Sequence, residues 1–361
     1  MVTARPGHTP EEIEKEVDAE IEALRKDGPT ADELERARNV IETRMIQGLE
    51  RLGGFGGVAD RLNEYNHYLG TPDYLSKDLA RYQNATIASV RSFAQEQLKP
   101  TARVVLFGIP GTPNLGPDVP TPAIEQKGQN TGGEAVNADA PWRNTQPLPG
   151  PARPLNLPVP QISTLANGLT LIYTYRPGLP LMAANLVFKS GSAANPIDKP
   201  GLAAFAANML LQGTAAHDAT QIADEAARLG AALNANATPD LTGVAASSLT
   251  KNFPGTLDLL SDIVLHPAFP PEEIERRRAA RIAAFANDRG NPQVVAARVG
   301  AAALFGTGST LGYDNNGDAE SVKSMTRDDL VNFWKTYYVP TDAALVAAGN
   351  MPPAELKAPP S

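Results

Sequence analysis

Chemistry needs groups with lone pairs or exchangeable protons gathered at useful spacings, and this 361-residue chain offers few of them. It has no cysteine, which removes disulfides, thiolate metal sites, iron–sulfur clusters and a cysteine nucleophile together. Its four histidines are His8, His67, His217 and His266. None lies within a helical turn of another, so no two can share a helix face around one metal ion. Each reads as a surface residue. Asp314, Asn316 and Asp318 alternate as calcium ligands do, but the glycine falls at 317 and no bidentate Glu follows at the required distance, so the stretch reads as a loop. Gly53-Gly54-Phe55-Gly56-Gly57 lacks the lysine and the preceding apolar strand of a phosphate-binding loop. It reads either as a flexible helix connector or as a mobile peptide-contacting loop. No GxSxG elbow is present, and the arginines of residues 275–285 read as a solvated helix face among acidic neighbours.

The elements that would have to position such groups follow from composition and periodicity. Length suggests two domains, possibly three. A net charge of −8 argues against a broad basic face for nucleic acid. No apolar run reaches the ~18 residues of a membrane span, and MVTARPGHTPEEIEKEV has no apolar core of the kind a signal peptide carries. Between Pro110 and Pro160 lie 12 of the 32 prolines. Residues 110–160 therefore read as an extended or disordered linker, separating a first part (1–109) from a second (161–351), with 352–361 as a tail.

The first part reads as mainly helical. Thr9-Pro10-Glu11-Glu12 and Thr30-Ala31-Asp32-Glu33 are capping boxes, each followed by apolar residues at helical spacing. Further helices are predicted over 58–69 and 87–98, and a strand over 103–109. The second part opens with two strands joined at Asn167-Gly168. Strands are predicted at 181–190, 231–237, 241–250 and 343–349. Helices are predicted at 201–211, 220–229, 255–265, 271–288, 292–305 and 327–338. This order is α+β, an antiparallel-rich sheet covered by helices.

An internal repeat sharpens the division. Thr86, Phe93, Pro100 and Thr101 recur as Thr326, Phe333, Pro340 and Thr341, an offset of 240 that also lays residues 32–38 over 272–278. The two parts read as copies of one α+β unit. At this offset the strands that open the second part have no counterpart, so the first copy is expected to be incomplete and to be a fragment or to need a partner. A standalone helical domain is the other reading of the first part.

Residues 201–214, GLAAFAANMLLQGT, resemble the inverted zinc motif helix, G-L-A-H-F-x-E-H-M-x-x-x-G-T, of the pitrilysin/insulinase family of metallopeptidases. Gly201, Leu202, Ala203, Phe205, Met209, Gly213 and Thr214 fit. The chemistry does not: Ala204 and Asn208 stand at the two histidine ligands and Ala207 at the catalytic glutamate. In the motif, i and i+4 histidines hold zinc and the glutamate polarises its water. Methyl groups cannot coordinate, and a neutral amide oxygen is a poor zinc ligand. The third ligand, a glutamate on a later helix, falls at Ala284-Phe285. Residues 188–196, 233–244, 287–292 and 317–340 extend the likeness.

The resemblance implies repeated metallopeptidase-like α/β sandwich domains arranged as two halves of a clamshell tied by a linker. It implies no cofactor in this chain, zinc on an upstream domain or partner subunit, and unfolded peptides as ligands. Family substrates add a strand to an exposed sheet edge; the matching residues are Asn234, Ala235, Asn236 and Ala237, for which an ordinary internal strand is the competing reading. The expected role is a noncatalytic segment that encloses and binds peptide, in an exported, periplasmic type of protein. A structural or assembly subunit with no proteolytic role is the alternative, and an enzyme with a different nucleophile is a third.

Overall fold

A computed structural model describes residues 7–109 and 157–353, together with positions 2, 4, 111, 145, 146, 148, 150, 151, 154 and 355. Most of the predicted linker and of the predicted tail lies outside the described residues. The chain forms two compact units: Met1–Asp18 with Pro100–Pro158, and Ala19–Lys99 with Val159–Ser361. The second unit thus combines most of the first part's helices with the sheet-bearing part.

Among the described residues five α-helices precede the proline-rich stretch: α1 (Pro10–Asp27), α2 (Ala31–Gly48), α3 (Val58–Leu69), α4 (Leu75–Gln83) and α5 (Ile87–Gln97). Local chemistry sets their starts. Thr9 Oγ1 accepts the Glu12 amide while the Glu12 carboxylate accepts the Thr9 amide, and Pro10 opens the helix. Thr30 with Glu33 and Thr86 with Ser89 make the same reciprocal cap on α2 and α5. Helix α4 was not predicted from the sequence.

In the smaller unit, the Arg103 guanidinium bonds Glu14 at 2.7 Å and also Asp18. Residues 103–109 are not a strand. Val104 and Leu106 are over nine-tenths exposed, and among the described residues no neighbouring strand offers them a ladder. A strand is defined by its pairing, so β-branched, apolar residues alone do not make one.

The second part carries a six-stranded sheet, β1 (Gln161–Thr164), β2 (Thr170–Tyr175), β3 (Leu181–Phe188), β4 (Ala232–Ala237), β5 (Thr242–Leu249) and β6 (Ala343–Gly349), in the order β1-β2-β6-β3-β5-β4. Every pairing is antiparallel except β2 with β6. Its helices are α6 (Leu202–Met209), α7 (Ala219–Arg228), α8 (Phe253–Leu265), α9 (Pro271–Asp288), α10 (Pro292–Phe305), α11 (Ala319–Ser324) and α12 (Arg327–Tyr337). One core runs from Phe188, Val244 and Ala246 on the sheet to Phe205 and Met209 on α6, Ile263 on α8 and Leu330 and Phe333 on α12. A smaller cluster joins Tyr173, Met182, Ala184 and Ala347 to Phe253.

The 240-residue offset is visible in the helices. Helices α2 and α9 have 18 residues each and begin at 31 and 271; α5 and α12 have 11 each and begin at 87 and 327. Thr86 and Thr326 cap them in the same way, and Leu98 (φ −93, ψ 58) and Tyr338 (φ −96, ψ 67) end them with nearly the same backbone. The offset also lays 103–109 over β6, whose flanking strands β2 and β3 come from the opening of the second part.

Helix α2 packs on α7. The Asn39 amide donates to Arg228 O at 2.6 Å, and Lys251 meets Glu42 at 2.8 Å. Gly230, at φ +59, lets the backbones close, since a Cβ there would stand 2.5 Å from Thr43 Oγ1.

Candidate functional site

Helix α6 is apolar almost all round, which suits a helix enclosed by other elements rather than one lying on a surface. It packs on β4, β5 and α12, and its residues Ala203, Ala206 and Ala207 have no exposed surface. Its start is built by other segments. Gly201 takes φ +91, where a Cβ would fall 2.4 Å from Asn316 O. The first turn is capped from outside by the Asn195 side chain, which accepts the Ala203 amide at 2.8 Å. The helix ends through a short 3₁₀ turn (Leu210–Gln212) and Gly213.

Thr214 then organises the return. Its hydroxyl donates to Asp262 at 2.6 Å and accepts the amides of Ala216 and His217. His217 and His266 lie against the two oxygens of the same carboxylate, at 3.0 and 3.3 Å. These two histidines are partly exposed, as predicted for surface residues, but they share an anchor that sequence spacing does not reveal. Burial pushes the Asp262 carboxyl up; the bonds from Thr214 and His217 outweigh it and leave the group below its ordinary value.

The positions of the metal motif lie as follows. Ala204 and Ala207 are buried in the core, at 4% and 0% exposure. Asn208 is only partly buried, and its amide is used as a bridge. Nδ2 donates to Ala235 O at 3.3 Å, and Oδ1 accepts from Arg281 Nη2 at 3.3 Å. At the third position Ala284 is exposed, while Phe285 is buried with the Arg298 guanidinium over its ring. Two methyls, an amide and a phenyl ring do not fit a zinc ion. Among the described residues no three histidines, aspartates or glutamates converge on one metal position.

Arg281 is the residue that sequence reasoning missed. The 275–285 arginines were expected on a solvated face; several instead turn inward. Arg278 donates to Val322 O and Met325 O, fastening α9 to α11. The Arg281 guanidinium lies over the Phe205 ring, 5.2 Å from its centre, and reaches Asn208. Burial lowers its pKa, with nearby Asp314 acting the other way. Asp314 is itself engaged by Arg298 and by the Asn316 amide, and Asp318 caps α11; the calcium-like triplet is a loop and a helix cap. The only sequence sign of Arg281 is its place four residues before Phe285, on the same helix face.

Strand β4 lies at the edge of the sheet, not inside it. The Thr238 amide donates to Leu241 O across the hairpin, so in the register with β5 the backbone groups of Asn234 and Asn236 face β5 and those of Leu233, Ala235 and Ala237 face outward. Two outward carbonyls are already taken: Asn208 bonds Ala235 O, and Asn315 bonds Ala237 O at 2.6 Å. The side chains divide the other way, with Ala235 and Ala237 buried and Asn234 and Asn236 exposed.

The insulinase family model (Peptidase family M16) matches residues 172–310. Mitochondrial-processing peptidase subunit beta of Rattus norvegicus is 30% identical over 210 residues, 58% of this chain and 42% of that protein. An uncharacterized zinc protease of Rickettsia felis is 28% identical over 190 residues, 53% and 46% of the two chains. Among solved structures, a peptidase M16 inactive domain from Pseudomonas fluorescens has a TM-score of 0.52 at 26% identity, covering 55% of this chain and 48% of that one. A protease from Helicobacter pylori has a TM-score of 0.52 at 18% identity, over 56% and 49%, a likeness of fold alone. The chain spans less than half the length of the curated relatives it matches. Over residues 172–310 the chain is thus similar to the insulinase family, peptidase family M16.

Proposed function

We propose that this chain is a noncatalytic part of a pitrilysin/insulinase-type zinc metalloendopeptidase, one that helps to enclose and hold unfolded peptide while zinc on an upstream domain or partner subunit performs hydrolysis. In this reading residues 161–351 are one family domain and residues 1–109 the helical end of another, joined through 110–160, and the whole works outside the cytoplasm. The carrying observation is the helix α6. It keeps the motif's glycine, apolar and threonine positions in a well-packed turn, while Ala204, Ala207 and Asn208 stand where the chemistry would be. Such a turn can shape a chamber and cannot polarise a metal-bound water. The likeness to a peptidase M16 inactive domain supports the same reading.

Peptide would lie along β4, where the outward amides of Leu233, Ala235 and Ala237 offer donors. A second reading, a structural or assembly subunit without proteolytic role, is favoured by one observation: Asn208 and Asn315 already occupy two outward carbonyls of that edge. Mixing the full chain with a zinc-bearing family partner and following cleavage of an unfolded peptide separates the two. The first reading predicts a gain in rate or in peptide affinity; no gain in either leaves the structural reading.

A further inference from the structure

The arginines of α9 divide into two kinds. Arg276 is paired with Glu273 and Gln212, and Arg278 with Glu275 and two backbone carbonyls. Among the described residues Arg277 and Arg281 meet no carboxylate, although both come from the same helix face, four residues apart. Arg281 has only the Asn208 bond and the Phe205 ring. Its Nη1 is buried with no acceptor, as is Arg277 Nε. A buried cationic donor without a partner is costly, and native structures seldom leave one without a reason.

The neighbouring edge is lopsided in the same sense. Its outward carbonyls at Ala235 and Ala237 are taken by side-chain amides, while among the described residues no acceptor meets the amides of Leu233, Ala235 and Ala237. Asn208 links this edge to Arg281 through one amide group. Asp314, the carboxylate that acts on Arg281, is paired with Arg298 and makes no ion pair with Arg281, so the corner offers more donors and positive charge than acceptors. Its natural complement is an anionic, planar acceptor, which a guanidinium can bind through two parallel N–H bonds.

We propose that the corner formed by Asn208, Arg281 and the outer edge of β4 is a carboxylate-binding site that takes the C-terminal or an acidic side-chain carboxylate of an extended peptide. The proposal rests on the peptide-holding reading above and gives that peptide a chemical class. Arg281 supplies the charge, Asn208 holds the guanidinium at the edge, and Arg277 adds to the positive field.

The test uses the full chain and four extended peptides of one apolar sequence: a free C-terminal acid, its C-terminal amide, and amides carrying one internal Glu or the matching Gln. Binding is read by fluorescence anisotropy in wild type, Arg281→Gln and Arg281→Lys. We expect the acid or the Glu peptide to bind about tenfold tighter than its neutral counterpart, as for a charge-assisted hydrogen bond. Whichever peptide shows the preference identifies the source of the carboxylate. The preference should vanish in Arg281→Gln and persist in part in Arg281→Lys. Equal binding of charged and neutral peptides by wild type, or a preference kept in Arg281→Gln, overturns the site while leaving peptide holding intact. A second arm needs no extended peptide and no variant: N-acetylglycine, against N-acetylglycinamide, is titrated into wild-type chain labelled with ¹⁵N-arginine. Saturable shifts in one side-chain resonance with the acid alone, and no peptide bound, would keep the carboxylate site and discard peptide holding. No shift and no peptide bound would discard both.

Discussion

Rebuilding the motif should fail, and the structure says by how much. The variant Ala204→His, Ala207→Glu, Asn208→His restores the two imidazoles and the carboxylate that the family motif carries. Positions 204 and 207 are closed, at 4% and 0% exposure, with α6 pressed on β4, β5 and α12. Forcing larger side chains into such packing costs about 1–3 kcal/mol each. Asn208→His also removes the amide that bonds Ala235 O and Arg281, for about 1 kcal/mol per hydrogen bond. The sum is roughly 4–8 kcal/mol, a large share of the 5–15 kcal/mol that holds a typical domain together. Zinc binding would recover little of it, because Phe285 stands at the third ligand and the Arg281 cation beside position 208 opposes a second positive charge. The expected outcome is a strongly lowered urea midpoint, no stoichiometric zinc by equilibrium dialysis and no cleavage of unfolded peptide. A variant as stable as wild type that binds one zinc ion and cleaves peptide would refute both the closed packing of α6 and the placing of the third ligand at Ala284-Phe285.

Four further outcomes are expected. Ala235→Pro deletes an outward amide without removing a bond to β5, so it should weaken peptide binding in a chain whose circular dichroism is unchanged; unaltered affinity rules out that edge. Thr86→Ala and Thr326→Ala should each cost about 1 kcal/mol, and nearly the same amount, because the two caps share one geometry; unequal losses in urea unfolding would count against a structural repeat. In Asp329 burial pushes the carboxyl up, but the bonds from Lys199 and Thr326 prevail and hold it low, as the bonds at Asp262 do there. A depressed folded-state pKa stabilises above the ordinary carboxyl value and is lost as pH falls through the folded one. Urea midpoints should therefore drop below about pH 4, and Asp329→Asn should lower the neutral midpoint and flatten that acid slope; an unchanged slope contradicts the assignment. Gly230→Ala should destabilise by more than about 1 kcal/mol, since a Cβ there meets Thr43 Oγ1 at 2.5 Å and Asn39 O at 2.7 Å; a neutral result in urea unfolding would contradict the α2–α7 packing.

Much of the architecture was legible because it is local. Asn167-Gly168 turned the first hairpin, Thr30 opened its helix where its capping box predicted, and the helices predicted from 87 and 327 begin there. The offset of 240, read from four matched residues and one helix, carries through to helix lengths and cap angles. The misses share a physical origin in tertiary structure. Residues 103–109 have strand composition, but among the described residues they lack the neighbours that β2 and β3 give β6. Helices α4 and α11 are short, and α11 starts at an Asp318 in a stretch that read as a loop. The candidate site was half visible. The replaced ligands could be read directly, but Arg281 looked like its solvated neighbours, because whether a helical arginine turns in or out depends on what the opposite element offers. Nothing in the sequence says that Asn208 would be waiting at an edge strand.

The helix α6 turn is filled by its own side chains and offers a catalytic zinc ion no ligand set. Equilibrium dialysis of the purified full chain against zinc, with peptide turnover followed on the same sample, tests it most directly. We expect no tight one-to-one binding and no turnover; one zinc ion held tightly per chain and lost in Asn208→Leu, with hydrolysis by the chain alone, would overturn this reading of the turn.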